Sequence, residues 1–166
     1  MSGERQFQIF RGADARGTME AGVLELGQKT PEQEEGVRKL TEAGFRDGGE
    51  VKVLVNIPGY SVTHVWFKKD YPMLLHSHSA DCLYCVIAGS LELGAETLGP
   101  QDSFFVPAGA AYAYRPGPDG VELLEFRHEG RFDFKNLAKN PAFYAKALKT
   151  VAANREAWRT AKRPVS

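Results

Sequence analysis

From residue 51 to about residue 128 the chain is cut into short segments by turn signals: Pro58-Gly59, Asp70-Tyr71-Pro72, Gly89, Gly94, Gly99-Pro100, Pro107-Ala108-Gly109 and the run Pro116-Gly117-Pro118-Asp119-Gly120. The stretches between them are rich in Val, Ile, Tyr, Phe and Trp, residues that fit a pleated, half-buried surface. Turn signals spaced by roughly 8 to 12 residues point to an antiparallel sandwich or barrel. A double-sheet barrel with an interior cavity is the natural outcome.

The flanks carry a different pattern. Thr30-Pro31-Glu32-Gln33 starts a helix, with threonine as N-cap, proline at the first helical position and glutamine placed for a capping box. That helix should end at Gly44, and its few apolar positions, Val37 and Leu40, put it on the surface of a larger body. Before it, short strands are expected around residues 7–10 and 23–26. Beyond Phe134, Asn140 caps a helix beginning at Pro141, where Tyr144, Leu148, Val151 and Trp158 form one apolar stripe. The stripe is expected to cover the barrel or a partner subunit. The organisation expected is one domain: 1–50 as N-terminal strands and helix packing on the barrel, 51–134 as the barrel, and 135–166 as C-terminal helix and frayed tail.

Charge narrows the function. Lysine plus arginine and aspartate plus glutamate stand at 21 each, so nucleic acid is not an expected partner. No apolar run reaches the roughly 18 residues of a membrane span, and the first residues lack the layout of a secretion signal. A cytoplasmic protein, with no membrane partner, is expected.

His76 and His78 are the residues with most chemical meaning. One residue apart on a predicted strand, they share a face, and two neutral imidazoles so placed can hold one metal ion. Cys82 and Cys85 are the only cysteines. Their spacing suggests a redox pair or half a zinc knuckle, but they lie in the strand-forming run around Leu83-Tyr84-Cys85-Val86-Ile87. Residues three apart on a strand point to opposite faces, so the thiols should diverge.

His76 and His78, then Cys82 after three residues and Gly89 after six more, resemble the first motif of the cupin superfamily, with Asp70 in place of its leading glycine and Cys82 in place of its glutamate. Residues 101–112, with Pro107 and Gly109, resemble the second motif, with Gln101 for its glycine, Tyr112 for its third histidine and Pro116 for its asparagine. The resemblance covers about half the chain and implies a mainly β double-stranded β-helix, a jelly-roll barrel with an N-terminal and a C-terminal helix, often dimeric, with a site in the barrel mouth.

On that resemblance the expected metal ligands are His76, His78 and Cys82. Two imidazoles and a thiolate suit one divalent transition metal, zinc, iron or copper. Tyr112 is the expected catalytic residue, orienting substrate or exchanging a proton. Trp66, Tyr84, Tyr112 and Tyr114 are expected to line the ligand site, which suits a small, partly apolar organic molecule. His64 and His128 are reserve ligands; His64 shares strand parity with Trp66, and the charged neighbours Arg127 and Glu129 suggest that His128 nears a strand end and solvent. The function expected is that of a small-molecule-binding cupin, either a metal-dependent oxygenase, isomerase or lyase, or a non-catalytic binding or sensor protein that has lost the full metal site. A structural oligomeriser is a third option, and a homodimer is the expected assembly.

Overall fold

The computed structural model describes residues 6–165. In chain order the elements are β1 (Arg16–Gly17), β2 (Leu24–Leu26), α1 (Pro31–Ala43), β3 (Gly49–Ile57), β4 (Tyr60–Phe67), β5 (His76–Ser77), β6 (Cys82–Leu93), β7 (Glu96–Leu98), β8 (Ser103–Val106), β9 (Arg115–Arg127), β10 (Phe132–Asn136) and α2 (Pro141–Thr160). The larger sheet runs β1-β3-β4-β9-β6-β7, with β8 also on β6, and the smaller runs β2-β10-β5. The pair β10 and β2 is parallel and the other strand pairs are antiparallel.

Strand alternation sets the inner wall. Across β4 and β9 the register pairs Ser61 with Arg127, Thr63 with Glu125 and Val65 with Leu123, and all six are buried. Tyr84 of β6 pairs with Glu125 from the other side. These residues face inward, and Val65, Cys82, Tyr84, Val86, Leu91, Tyr112, Tyr114, Val121 and Leu123 form one apolar cluster. Where β6 and β9 cross, the register shifts next to Gly89. Gly89 (φ 69°) and Gly120 (φ 83°) approach so closely there that a Cβ on Gly89 would collide with the Gly120 carbonyl. Two left-handed glycines let the long strands bend at that point.

Both helices start as their sequences dictate. Thr30 and Gln33 exchange both bonds of the capping box, and Gly44 closes α1 in the left-handed region at φ 102°. The Asn140 side chain accepts from the amide of Ala142 at the start of α2. The stripe of α2 packs on α1 and on neighbouring loops, in a cluster of Leu40, Leu74, Ala138, Tyr144, Ala147, Val151 and Trp158. The strand expected around residues 7–10 does not form. That segment is irregular and exposed, and the edge of β3 is taken by β1 instead. The last strand, β10, extends two residues past the expected barrel limit at 134, because Lys135 and Asn136 pair with Ser77 and His76.

Candidate functional site at the end of the barrel

The two histidines sit where three segments meet. β5 pairs with β10 on one side, and on the other His76 and Tyr112 form an isolated bridge, their amides donating to each other's carbonyls at 3.2 and 3.0 Å. The amide of Gly109 donates to the His78 carbonyl at 2.8 Å, and that of Ala108 to Asp81 Oδ1 at 2.7 Å. The Pro107-Ala108-Gly109 turn is therefore bonded to the strand bearing the imidazoles, which joins the two sequence motifs into one structure.

Hydrogen bonding fixes the tautomers. His76 Nδ1 lies 2.7 Å from the Leu74 carbonyl and His78 Nδ1 lies 2.5 Å from the Asp133 carbonyl. A carbonyl only accepts, so Nδ1 carries the proton on both rings and Nε2 keeps its lone pair. The rings are 4.9 Å apart. His76 stacks on Phe134 at 4.7 Å, and His78 meets the edge of Phe132 at 5.4 Å. Burial disfavours the charged form of both, taking His76 down to about 4 and His78 below its ordinary value. Both are neutral at pH 7.

Tyr112 faces them, 4.4 Å from the His76 ring and 6.1 Å from that of His78, and the same barrel interior holds further phenols, a thiol and an ion pair. The hydroxyls of Tyr84 and Tyr112 are hydrogen-bonded to each other. Tyr84 stacks on Phe104 at 4.5 Å, and Tyr114 lies 6.4 Å from Tyr112. Burial holds all three phenols well above their ordinary pKa. Burial also pushes the Cys82 thiol up to about 12. Cys82 and Tyr84 are buried on one face of β6, with Cys85 on the other; both cysteines are free.

The ion pair is the feature that sequence reasoning missed. Arg127, whose side chain is 0% exposed, donates from Nη1 to Glu125 Oε2 at 2.7 Å, and its guanidinium lies 3.9 Å from the centre of the Phe132 ring. The signal that would have found it was alternation along β9: Val121, Leu123, Glu125 and Arg127 are all buried, whereas Phe126 and His128 are exposed.

Several expected residues lie elsewhere. His64 and Trp66 alternate with the inward Thr63 and Val65, so they sit on the outer face of β4. His64 Nε2 is 3.4 Å from Glu122 Oε1. Trp66 is covered by Lys68 and Arg163, each 4.7 Å from its ring, and borders a separate cavity of about 430 Å³ between the sheet, α2 and the tail. Trp66 is thus not a wall of the barrel interior, and neither reserve histidine enters it. The parity of these strands was unreadable because residues 62–67 are apolar on both faces.

The donor set does not fit a resident transition metal. Among the described residues no three His, Cys, Asp or Glu side chains come together in a way that could hold one. Burial opposes ionisation of the Cys82 thiol, and the Arg127 cation is close enough to lower the pKa of both histidines. Of the expected set His76, His78 and Cys82, the structure brings the two imidazoles together and buries the Cys82 thiol in the apolar cluster of the barrel. Of the carboxylates that act on the imidazoles, Glu125 is paired with Arg127, and Asp133, whose charge acts on His78, has Oδ1 buried with no hydrogen-bond partner among the described residues.

A mainly antiparallel double-sheet barrel, with a His-x-His strand bonded to a Pro-x-Gly turn, has the architecture of a cupin-type jelly roll. The solved structures it resembles are of that kind. An RmlC-like cupin from Shewanella frigidimarina matches at 22% identity and TM-score 0.44, over 49% of this chain and 76% of that one. KdgF from Halomonas sp. matches at 23% and 0.42, over 49% and 82%. An uncharacterised conserved protein with a double-stranded β-helix domain, from Klebsiella pneumoniae, matches at 16% and 0.49, over 55% and 80%. No protein-family model and no curated protein matches the chain.

Proposed function

We propose that this chain binds a small organic molecule at the barrel end walled by His76, His78, Cys82, Tyr84 and Tyr112, as a binding or sensor protein without a metal step. The observation that carries this reading is the pair of neutral imidazoles, each bonded through Nδ1 to a backbone carbonyl, which leaves Nε2 as the acceptor, set among aromatic rings and near a phenol pair. Such a wall suits a partly apolar ligand with one or two polar groups, and each Nε2 can accept from a ligand hydroxyl, amide or ammonium. Tyr112 serves as a hydrogen-bonding group, because a phenol held so far above its ordinary pKa does not exchange its proton readily near neutrality. Tyr84 and Tyr114 form the floor.

A fragment screen by ligand-observed NMR tests this. Hits are expected to weaken at least tenfold in His78→Phe and measurably in Tyr112→Phe. A screen without hits, or hits indifferent to both substitutions, would overturn the reading. The metal-dependent enzyme is separated by metal content: protein purified without chelator is expected to carry well under one zinc, iron or copper per chain. Stoichiometric metal that disappears in His76→Ala/His78→Ala would put the enzyme in place of the binding protein. A cytoplasmic homodimer belongs to the same reading, and sedimentation that finds only monomer would remove the dimer. No helix among the described residues is long and apolar enough to cross a membrane.

A further inference from the structure

The guanidinium of Arg127 is only partly used by the protein. Nη1 is bonded to Glu125, but Nε and Nη2 are buried with no hydrogen-bond partner among the described residues. Buried polar groups in native structures are nearly always paired, and a charged donor is costly to leave unmade. The unmatched atoms are not scattered. Nε–H and one Nη2–H lie parallel on one edge of the guanidinium, the fork that matches the two oxygens of a carboxylate. A second orphan lies close by, for Thr63, which pairs with Glu125 across the sheet, is buried with Oγ1 unpartnered among the described residues. The same barrel end holds the imidazole pair, and Phe132 lies under the guanidinium while meeting the edge of His78.

We propose that the molecule bound at the barrel end is a small monocarboxylic acid with an apolar or aromatic body, its carboxylate held side-on by Arg127 Nε and Nη2. This deepens the proposed function and rests on it. Arg127 is then the anchor of the ligand's charge, the rings of Phe132, Phe134 and Tyr112 flank its body, and an imidazole Nε2 receives a donor group. Charge selects a carboxylate over a phosphate. Arg127 already pairs with Glu125 and the imidazoles are uncharged, so a monoanion leaves one negative charge uncompensated at this end and a dianion leaves two. A side-on fork on a rigid, stacked guanidinium also explains arginine at this place. Lysine would supply a point charge without the paired donors.

The test uses benzoate and hexanoate, their neutral amides benzamide and hexanamide, and phenyl phosphate, titrated into isotopically labelled full-length protein. The acids are expected to perturb the barrel-end resonances and to shift the Arg127 Nε–H signal downfield. The amides and phenyl phosphate are expected to bind at least tenfold more weakly. In Arg127→Lys the preference for acid over amide should fall at least tenfold. Since removing this guanidinium leaves Glu125 buried without its partner, the wild-type Nε–H signal decides the matter even if the variant unfolds. Acids and amides binding alike, with that signal unmoved, would overturn the carboxylate anchor and leave the binding reading standing. Tighter binding of phenyl phosphate would overturn the choice of a monoanion. If no probe of either kind perturbs the barrel end, the inference and the reading beneath it fall together.

Discussion

His76 joins function to stability in a single ring. Burial holds its pKa near 4, against about 6.5 in an unfolded chain. Between those values the unfolded chain takes up a proton at this position and the folded chain does not, so acid favours unfolding. Stability from this group is complete above about pH 6.5 and is lost as pH falls toward 4, by up to about 3 kcal/mol over the window. Urea unfolding at several pH values between 4 and 7 checks it: wild type is expected to lose stability more steeply with acid than His76→Gln, and equal slopes would show that the ring is not held neutral by the fold. Sequence spacing was enough to single out this ring, because His-x-His on a strand has few geometric readings. The tautomer was illegible, since it depends on the carbonyls of Leu74 and Asp133, the second 55 residues from His78. Arg127 was illegible for a different reason. A charged residue near a strand end is usually solvated, and here alternation in β9 buried it against that tendency while leaving His128 outside.

At the scale of elements, local chemistry was the readable part. The capping box at Thr30, the stop at Gly44 and the cap at Asn140 are all local in sequence, and each appears as the residues require. What each helix packs against is not local. The turn spacing revealed the strands of the barrel but not the pairing of β10 with both β2 and β5, which fixes Phe132 and Phe134 behind the imidazoles. One contact between the helices turns on a missing side chain. A Cβ on Gly36 of α1 would run into the ring of Tyr144 of α2, and that ring cannot easily give way. Its hydroxyl accepts from Asn136 Nδ2 at 3.0 Å and donates to the Ala138 carbonyl at 2.9 Å. Alanine would gain about 1 kcal/mol in helix propensity, but forcing extra volume into a packed interface costs about 1–3 kcal/mol. The net expectation for Gly36→Ala is a loss of about 1 kcal/mol and a thermal midpoint lower by about 2–4 °C. A rise in the midpoint would mean that Tyr144 yields and that the close approach is incidental.

Over the whole molecule, the C-terminal segment ties the helical layer to the outer face of the barrel. Trp158 Nε1 donates to the Lys69 carbonyl at 2.8 Å, and Lys68 Nζ donates to the carbonyls of Asp47 and Trp158 at 2.8 and 2.6 Å. Beyond α2, Arg163 lies over Trp66, pairs with Glu50 at 2.5 Å, and is bonded to the largely buried Glu122. The tail is therefore a clasp rather than a frayed end, and it engages Trp66 on the side of the sheet away from the barrel interior. Arg163→Ala removes a cation stacked on an indole and leaves Glu122 with His64 as its neighbour, 3.4 Å away. His64 is held below its ordinary pKa chiefly by burial, opposed by the charge of Glu122 and assisted by that of Arg163. Without the arginine the carboxylate acts on the imidazole unopposed by that cation, so the His64 pKa is expected to rise. Two NMR observations check this together: the His64 ring titration should move upward, and the Trp66 indole N–H should shift and exchange faster with water. Stability should fall by about 1–2 kcal/mol, the scale of a partly desolvated cation–π contact plus a weakened ion pair. If neither resonance moves, the tail does not hold Trp66 in solution, and the link between the C-terminal segment and the outer sheet must rest on Trp158 alone.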